Sequence, residues 1–337
     1  MRAALPTAVA RRLAALRLPR LVPEAAALPL MHPTLVASVP AGPGWLLELK
    51  WDGVRVLALR AGGAVRLVAR RGGEVTRVYP EVAAALAALP GGDLALDGEI
   101  VVLDASGRPS FPQLARRIHL AAAPAIAAAA RTTPVTAFVF DLLVLDGRDC
   151  RALPLEVRKA LLRALVPSAG ALRYCAHVDD DGPAFFAAVC REGLEGVVAK
   201  RADAPYHGGR SRAWLKVKCR RVEDFVIGGW TDPRGSRPGL GAVHLGRREG
   251  RDLVYVGRVG AGLSERQLAD LEARLRRLAA ARCPFTRGDP PRGPGHHWVR
   301  PTLVCTVRFT EWTADGKVRH PVFVGLRSRP RAATPRS

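Results

Sequence analysis

The chain has 337 residues, a hydrophobic fraction of 48% and a formal charge of +22, from 52 lysines and arginines against 30 acidic residues. This length suffices for two packed domains, and the charge predicts a polyanionic partner such as nucleic acid, with a membrane surface as the weaker alternative. No apolar run has the length of a signal peptide core or a transmembrane span, so a soluble cytoplasmic protein is expected. The six cysteines lack metal-binding spacing, so neither zinc nor a structural disulfide is expected.

The first domain is predicted to follow a basic extension, residues 1–27, and to span residues 28–220. Apolar patterning predicts strands at 45–51, 54–59, 65–69, 94–97, 100–103, 135–145, 196–200 and 213–219. The dipeptide Asp52-Gly53 between the first two strands suits the positive φ angles of a tight hairpin turn. Helices are predicted at 80–89, 155–165 and 183–192, the first with proline at a permitted helix start.

Beyond residue 220 the pattern changes to short strands separated by glycine-rich turns. These strands are predicted at 224–230, 241–245, 253–259, 303–309 and 322–326. One helix interrupts them and begins at a capping box formed by Ser264 and Gln267. Five strands and one helix in about a hundred residues are typical of an OB-fold, a small β-barrel that often binds nucleic acid. The sequence therefore predicts an α+β protein with an OB-fold domain at 221–327 and a disordered basic tail at 328–337.

Lysine is rare in this chain, although basic residues are abundant. The six lysines are Lys50, Lys159, Lys200, Lys216, Lys218 and Lys317. An arginine stays protonated, whereas a lysine amine can lose its proton and attack an electrophile, so a retained lysine indicates a position with a chemical role. Four of the six lie in short motifs at residues 50–55, 195–200 and 214–219. Lys216 and Lys218 project from one face of their predicted strand, and the alternative interpretation of this pair is a solvated strand edge.

Joining a lysine to a phosphate requires a neutral amine and positive charge around the phosphates of the donor nucleotide. Lys50 and the other three motif lysines could meet both needs, because neighbouring cations and a bound metal disfavour a protonated amine. Glu99 and Glu195 each stand beside a glycine at a predicted strand end, where a carboxylate could face a cleft and hold that metal.

Five short motifs follow one another over about 170 residues: Lys-x-Asp-Gly-x-Arg, Asp-Gly-Glu, Phe-Asp, Glu-Gly-x-x-x-Lys and Lys-x-Lys. In this order they resemble the covalent nucleotidyltransferases and, among these, the ATP-dependent DNA ligases. The chain is most similar to the ligase domain of the multifunctional bacterial ligase of non-homologous end joining. The resemblance runs from about residue 28 to residue 327 and implies a nucleotidyltransferase (adenylation) domain of antiparallel sheets and helices, followed by the OB-fold.

The resemblance also implies roles for individual residues. Lys50 would become linked to AMP from ATP, pass the AMP to a DNA 5′-phosphate, and a 3′-hydroxyl would then displace it. The implied nucleotide-binding residues are Glu48, Arg55, Arg70, Glu99, Phe140, Val198, Lys200, Lys216, Lys218 and Arg327. Among them, Phe140 and Val198 would contact opposite faces of adenine, and the three later motif lysines would hold the α-phosphate. Glu99 and Glu195 would support Mg²⁺ or Mn²⁺.

The chain departs from the family pattern at two positions. Ala69 replaces a serine, and Arg327-Ser328-Arg329-Pro330 replaces Arg-x-Asp-Lys, which predicts a slower first step. Duplex DNA with nicks or ends is the expected substrate, a Ku-type end-binding protein is the expected partner, and the bacterial cytoplasm at the nucleoid is the expected location. Two alternatives stay open: an RNA ligase or capping-type guanylyltransferase using the same lysine, and a non-catalytic DNA-binding protein.

Overall fold

The computed structural model describes residues 3–233, 239–313 and 315–327, and the chain divides into two compact units at residues 1–219 and 220–337. The finer boundaries predicted at residues 27 and 327 stay predictions. The predicted tail, residues 328–337, lies outside the described residues. In the part of the chain that the structure describes, no helix combines the length and the apolarity needed to cross a bilayer.

The first unit mixes helices with strands. Its helices are α1 (Thr7–Ala15), α2 (Pro80–Ala88), α3 (Phe111–Ile118), α4 (Ala123–Thr132), α5 (Leu155–Leu165) and α6 (Gly182–Arg191), with 3₁₀ turns at Ala25–Ala27 and Thr76–Val78. Its strands are β1 (Met31–Leu35), β2 (Trp45–Leu49), β3 (Val54–Ala61), β4 (Ala64–Ala69), β5 (Leu94–Val102), β6 (Val135–Leu145), β7 (Arg148–Asp149), β8 (Leu172–Tyr174), β9 (His177–Val178), β10 (Gly196–Arg201) and β11 (Gly209–Lys218).

These strands form two sheets that pack against each other. One has the order β1-β11-β10-β2-β9, and the other has the order β4-β3-β5-β6-β7 with β8 beside β6. A buried cluster that includes Met31 and Trp214 from the first sheet and Leu57 and Leu143 from the second joins the two faces. Helices α1, α2 and α5 cover the other face of the second sheet, and α6 packs on the first. The central strands of the second sheet are thus buried on both sides, which fits the long apolar runs in β5 and β6.

The segment from Lys50 to Gly53 crosses from one sheet to the other. Because β2 and β3 lie in different sheets, Asp52-Gly53 does not form the predicted hairpin, and that prediction is wrong. Gly53 does not have a positive φ angle either. Instead, a Cβ atom at this position would lie 2.1 Å from the carbonyl oxygen of Ile100, so glycine is required by close approach of the backbone. The crossing places Lys50 where the two sheets meet.

Strand β5 is continuous, whereas two strands, at 94–97 and 100–103 with an interruption at residues 98–99, were predicted. Gly98 allows the continuation, because a Cβ atom there would lie 2.9 Å from the carbonyl oxygen of Phe138 on β6. Glu99 is registered opposite Arg55 on β3. Since residues two apart on a strand share a face, Asp97 and Glu99 both project on the side of Arg55.

A disulfide joins Cys190 in α6 to Cys219, the residue after β11, which contradicts the expectation of no structural disulfide. The two Cα atoms are 5.3 Å apart, within the ordinary range for a disulfide. The sequence separation of 29 residues gave no sign of this pairing, because it depends on α6 packing against the first sheet.

The second unit is built from short strands and one long helix. Its elements are β12 (Arg221–Thr231), β13 (Val243–Glu249), β14 (Asp252–Val259), α7 (Glu265–Arg277), β15 (Ala279–Ala280), β16 (His296–Val299), β17 (Val304–Phe309), β18 (Glu311–Trp312), β19 (Val318–Arg319) and β20 (Val322–Arg327). Helix α7 begins with the predicted capping box, in which the Ser264 side chain accepts from the Gln267 N–H.

Sheet order in the second unit is β14-β13-β12-β16-β15, and β17 pairs with both β12 and β20. Leu268, Leu271 and Leu275 of α7 pack into its core. Over residues 220–233, 239–313 and 315–327 the ladders do not close into a complete barrel. The unit is OB-fold-like, and the predicted α+β class, an adenylation domain followed by an OB-fold-like domain, is confirmed.

Candidate active site

A cavity of about 840 Å³ opens in the first unit and is lined by both sheets. It brings together most of the predicted nucleotide-binding residues, namely Glu48, Lys50, Arg55, Arg70, Glu99, Phe140, Val198, Lys200 and Lys216. Trp214, Arg210 and His32 also line it, although the sequence analysis gave them no role. A neighbouring groove of about 760 Å³ shares Arg70, but its lining is mostly apolar. The first cavity is therefore the candidate active site.

Lys50 lies in an ion-paired group with Glu195 and Lys218. The Lys50 Nζ is 2.5 Å from Glu195 Oε2, and the Lys218 Nζ is 2.8 Å from Glu195 Oε1. The Lys50 N–H donates to the Gly196 carbonyl, which ties the end of β2 to the start of β10. A Cβ atom at Gly196 would lie 2.1 Å from the carbonyl oxygen of Val217, so glycine lets Glu195 approach β11 closely. The structure thus holds a candidate nucleophile, a proton acceptor and a second cation together.

The strand register places three predicted residues side by side. Val198 on β10 is opposite Glu48 on β2 and opposite Lys216 on β11, so all three share one face of the sheet. Burial lowers the pKa of Lys216, and the positive charges of Lys50 and Lys218 lower it further. Across the three strands the side chains thus change from the Glu48 carboxylate on β2, through Val198 on β10, to the Lys216 ammonium group on β11.

Arg55 is held by Asp97, a residue to which the sequence analysis gave no role. Its Nε and one terminal nitrogen donate to the two Asp97 carboxylate oxygens at 2.9 and 2.6 Å, and Tyr206 Oη donates to Asp97 at 2.7 Å. Burial alone opposes a charged guanidinium, but the Asp97 charge and hydrogen bonds outweigh it and raise the pKa of Arg55. The cavity therefore has a permanent, oriented cation at this wall. The Asp-Gly-Glu motif was the signal that could have identified Asp97.

Glu99 is an unusual carboxyl group because it lacks full compensation for its burial. Burial raises its pKa to about 8, although the nearby cations Lys50 and Arg55 lower it. At neutral pH the side chain is mostly protonated in the metal-free protein. Among residues 3–233, 239–313 and 315–327, no three His, Cys, Asp or Glu side chains converge on a metal site. Mg²⁺ typically binds one or two carboxylates together with substrate phosphates, so Glu99 and Glu195 fit such an ion.

Glu48 is buried between two lysines at the other end of the cavity. Its Oε1 is 2.5 Å from the Lys159 Nζ, and its Oε2 is 2.6 Å from the Lys200 Nζ. Lys200 also lies over the rings of Phe140 and Trp214, 4.2 and 4.1 Å from their centroids. These contacts indicate that Lys200 lies near the position of a base stacked on Phe140. Its expected contact with an α-phosphate stays a prediction. Sequence reasoning missed Lys159, although its retention as a lysine was a signal.

Arg327 lies in the second unit, at the end of β20. Its Nε is 3.3 Å from Asp224 Oδ1 and 3.2 Å from Thr306 Oγ1. Its expected contact with the nucleotide stays a prediction, and the divergent segment at residues 328–330 lies outside the described part of the chain.

Comparison with known proteins identifies the family. The model for the ATP dependent DNA ligase domain matches residues 34–218, more than half of the chain, and the model for the ATP dependent DNA ligase C terminal region matches residues 236–329. The crystal structure of the ligase domain from M. tuberculosis LigD has 37% sequence identity and a TM-score of 0.51, with coverage of 90% of this chain and 96% of that one.

Two full-length relatives are multifunctional non-homologous end joining proteins named LigD. The Pseudomonas aeruginosa protein is 38% identical over 300 residues, covering 87% of this chain and 34% of the relative, and the Mycobacterium tuberculosis protein is 41% identical over 286 residues, covering 84% and 36%. A probable DNA ligase of Streptomyces coelicolor is 38% identical over 295 residues, covering 83% and 54%. The chain thus spans between a third and just over half of the length of these relatives. It belongs to the ATP-dependent DNA ligase family.

Proposed function

We propose that this chain seals nicks or breaks in duplex DNA with ATP, through a covalent intermediate in which AMP is bonded to Lys50. The single observation that carries the proposal is that Lys50, which lines a nucleotide-sized cavity, is ion-paired with Glu195, which in turn pairs with Lys218. In a ligase family member, that grouping supplies a nucleophile, a proton acceptor and a charge that faces phosphate.

In the first step the neutral Lys50 amine attacks the α-phosphorus of ATP. A phosphorus–nitrogen bond forms, the bond to the bridging oxygen breaks, and pyrophosphate leaves with the electron pair. Glu195, whose Oε2 lies 2.5 Å from the Lys50 Nζ, is the nearest acceptor for the amine proton. Lys216 and Lys218 place positive charge where negative charge develops, which is the main way a protein accelerates phosphoryl transfer.

A divalent cation, Mg²⁺ or Mn²⁺, would be held by Glu99 and Glu195 and would neutralise charge on the phosphates. The raised pKa of Glu99 means that this carboxyl group must lose a proton when a cation binds. Metal-dependent activity should therefore be accompanied by proton release at neutral pH.

At the opposite end of the cavity, Glu48 would accept from the amino group of adenine, with Phe140 and Val198 on the two faces of the base. Phe140 and Val198 both line the cavity, and Glu48 is registered directly opposite Val198. Aromatic stacking and one well-placed acceptor are sufficient to orient a purine.

In the later steps AMP passes to the 5′-phosphate of a broken strand, and the 3′-hydroxyl displaces it. Arg70 would contact the nucleic-acid phosphate or the nucleotide sugar, and the charge of +22 would attract the DNA backbone. The end-joining proteins among its relatives favour a role in break repair with a Ku-type partner at the bacterial nucleoid.

The test is incubation of the purified chain with α-labelled ATP and Mg²⁺, followed by denaturing electrophoresis. Wild type and the control variant Lys317→Arg, a surface lysine paired with Asp315, should retain label, and Lys50→Arg should not. Added nicked DNA should then remove the label and yield a sealed strand. Labelling of Lys50→Arg at the wild-type level would exclude Lys50 as the nucleophile. Labelling from GTP would favour the capping-type alternative, and sealing only of RNA would favour an RNA ligase. DNA binding without any label would favour the non-catalytic DNA-binding protein.

A further inference from the structure

We propose that Lys159 is a positioning residue that makes this cavity select ATP over GTP, because it fixes one oxygen of Glu48 and so directs the other oxygen, which Lys200 also contacts, towards the base. The inference rests on the proposed function in taking a purine nucleotide as the ligand. Lys159 acts through Glu48 and does not itself contact the nucleotide.

Lys159 is buried on helix α5, in the middle of the first unit. Fully buried lysines are rare in proteins unless they are paired. The preceding residue, Arg158, is also buried and makes a two-pronged ion pair with Asp141 on β6. An arginine thus anchors this helix to the second sheet, whereas the neighbouring lysine contacts Glu48, a residue of the cavity wall.

Three contacts fix the Lys159 ammonium group. Its Nζ donates to Glu48 Oε1 at 2.5 Å and to the carbonyl oxygen of Cys175 at 2.7 Å, and it lies 4.5 Å from the ring centroid of Tyr174. An ammonium group has three N–H bonds, and these three neighbours provide one contact for each. The result is a rigid point of attachment for one carboxylate oxygen of Glu48.

The second lysine at Glu48 is different. Burial lowers the pKa of Lys200, and the nearby charge of Lys159 adds to the effect. For Lys159 the opposite holds: burial opposes its charge, but the Glu48 carboxylate outweighs burial and raises the pKa of Lys159. Lys159 is therefore the charged counterion of Glu48, and Lys200 is the amine that gives up its proton more easily. The Glu48 oxygen on the Lys200 side, 2.6 Å from the Lys200 Nζ, keeps a second lone pair that can accept from a ligand.

This arrangement distinguishes the two purines by the group at position 6. Adenine presents an amino group there, which donates to a carboxylate oxygen, whereas guanine presents a carbonyl oxygen, which the carboxylate repels. A site built around one buried hydrogen bond rejects a ligand that cannot make it. Without Lys159, the Glu48 carboxylate could turn both of its oxygens onto Lys200 and would lose its fixed direction towards the base.

The experiment measures the dissociation constants of ATP and GTP for the full chain in EDTA, which prevents reaction, and the rate of Lys50–AMP formation against ATP concentration in Mg²⁺. The variants are Lys159→Met, Lys159→Arg and the core control Leu162→Ala on the same helix. We expect Lys159→Met to reduce the GTP-to-ATP ratio of dissociation constants by about tenfold, the usual size of one buried hydrogen bond. It should raise KM for ATP with kcat within about threefold, and Lys159→Arg, which keeps the charge, should restore most of the ratio.

If Lys159 had a purely structural role, any destabilising substitution in α5 would change the ratio of dissociation constants to the same extent. We expect instead that Leu162→Ala lowers the melting temperature without changing this ratio. An equal change of the ratio in Leu162→Ala would overturn the proposal. So would an unchanged ratio in Lys159→Met, or a wild-type protein that does not prefer ATP. If Lys159→Met does not fold, Lys159→Gln, which keeps a donor without the charge, decides by the same ratio. A wild-type chain that forms no adduct contradicts the proposed function alone, because the binding ratio still tests Lys159.

Discussion

Replacing Glu99 by glutamine should stabilise the metal-free protein, and increasingly so as the pH rises. Burial raises the pKa of Glu99 from the ordinary 4.5 to about 8 in the folded state, despite the opposing charges of Lys50 and Arg55. The unfolded chain releases this proton at a lower pH than the folded chain does. Ionisation of Glu99 therefore does not affect the free energy of unfolding below pH 4.5, where the side chain is protonated in both states. As the pH rises from 4.5 to about 8, the unfolded state is favoured progressively and stability is lost. Glutamine does not titrate and avoids this loss at every pH.

The magnitude follows from the size of the pKa change. A rise from 4.5 to about 8 corresponds to about 5 kcal/mol at about 1.36 kcal/mol per pH unit. Glu99 is only half-buried at the cavity wall, so solvent reduces this to about 3 kcal/mol. For a unit of 219 residues, each kcal/mol shifts the melting temperature by about 2–4 °C. Glu99→Gln should therefore melt roughly 6–12 °C above wild type at pH 9 and close to wild type at pH 5.

The assay is calorimetric melting of wild type and Glu99→Gln in EDTA at several pH values from 5 to 9. Glu192→Gln is the control, because Glu192 is exposed and its ion pair with Arg108 lies in solvent. The same variant should form the Lys50–AMP adduct more slowly in Mg²⁺, since it has lost a carboxylate ligand. A stability difference that is constant between pH 6 and pH 9 would show that Glu99 is ionised throughout, and the reasoning about its burial would be wrong.

Three further predictions concern the rest of the chain. DNA affinity should fall steeply with salt, and a log–log slope near zero would show that the charge of +22 is not a binding surface. Reduction of the Cys190–Cys219 disulfide, which closes a loop of about 30 residues, should destabilise the first unit by about 3 kcal/mol in chemical unfolding, whereas Cys283→Ser, at an exposed free cysteine, should not. Arg158→Met should cost about 3–5 kcal/mol, because it leaves the Asp141 carboxylate buried without its partner, and full stability in urea unfolding would contradict this.

Local sequence patterns predicted the elements that depend on local chemistry. The long apolar run of β6 and the helix α5 have the predicted bounds, residues 135–145 and 155–165, because a strand buried on both faces and an amphipathic helix each impose a pattern on adjacent residues. The motif spacing also predicted that lysines and carboxylates would share a cleft. Lys50, Lys216 and Glu99 do line one cavity, although Glu99 lies within the continuous strand β5 and not at a strand end.

Only the tertiary structure decided how these pieces meet. Asp52-Gly53 has the composition of a hairpin turn, but packing of two sheets makes it a crossing, and no local signal distinguishes the two. The contact between Lys159 and Glu48 joins residues 111 positions apart, and the Cys190–Cys219 disulfide depends on a helix docking onto a sheet. Both pairings join residues that are distant in the sequence and meet only after folding. For the ion pair the physical reason is that a charge buried by the fold must have a partner of opposite charge nearby. A single sequence specifies them only through the complete fold.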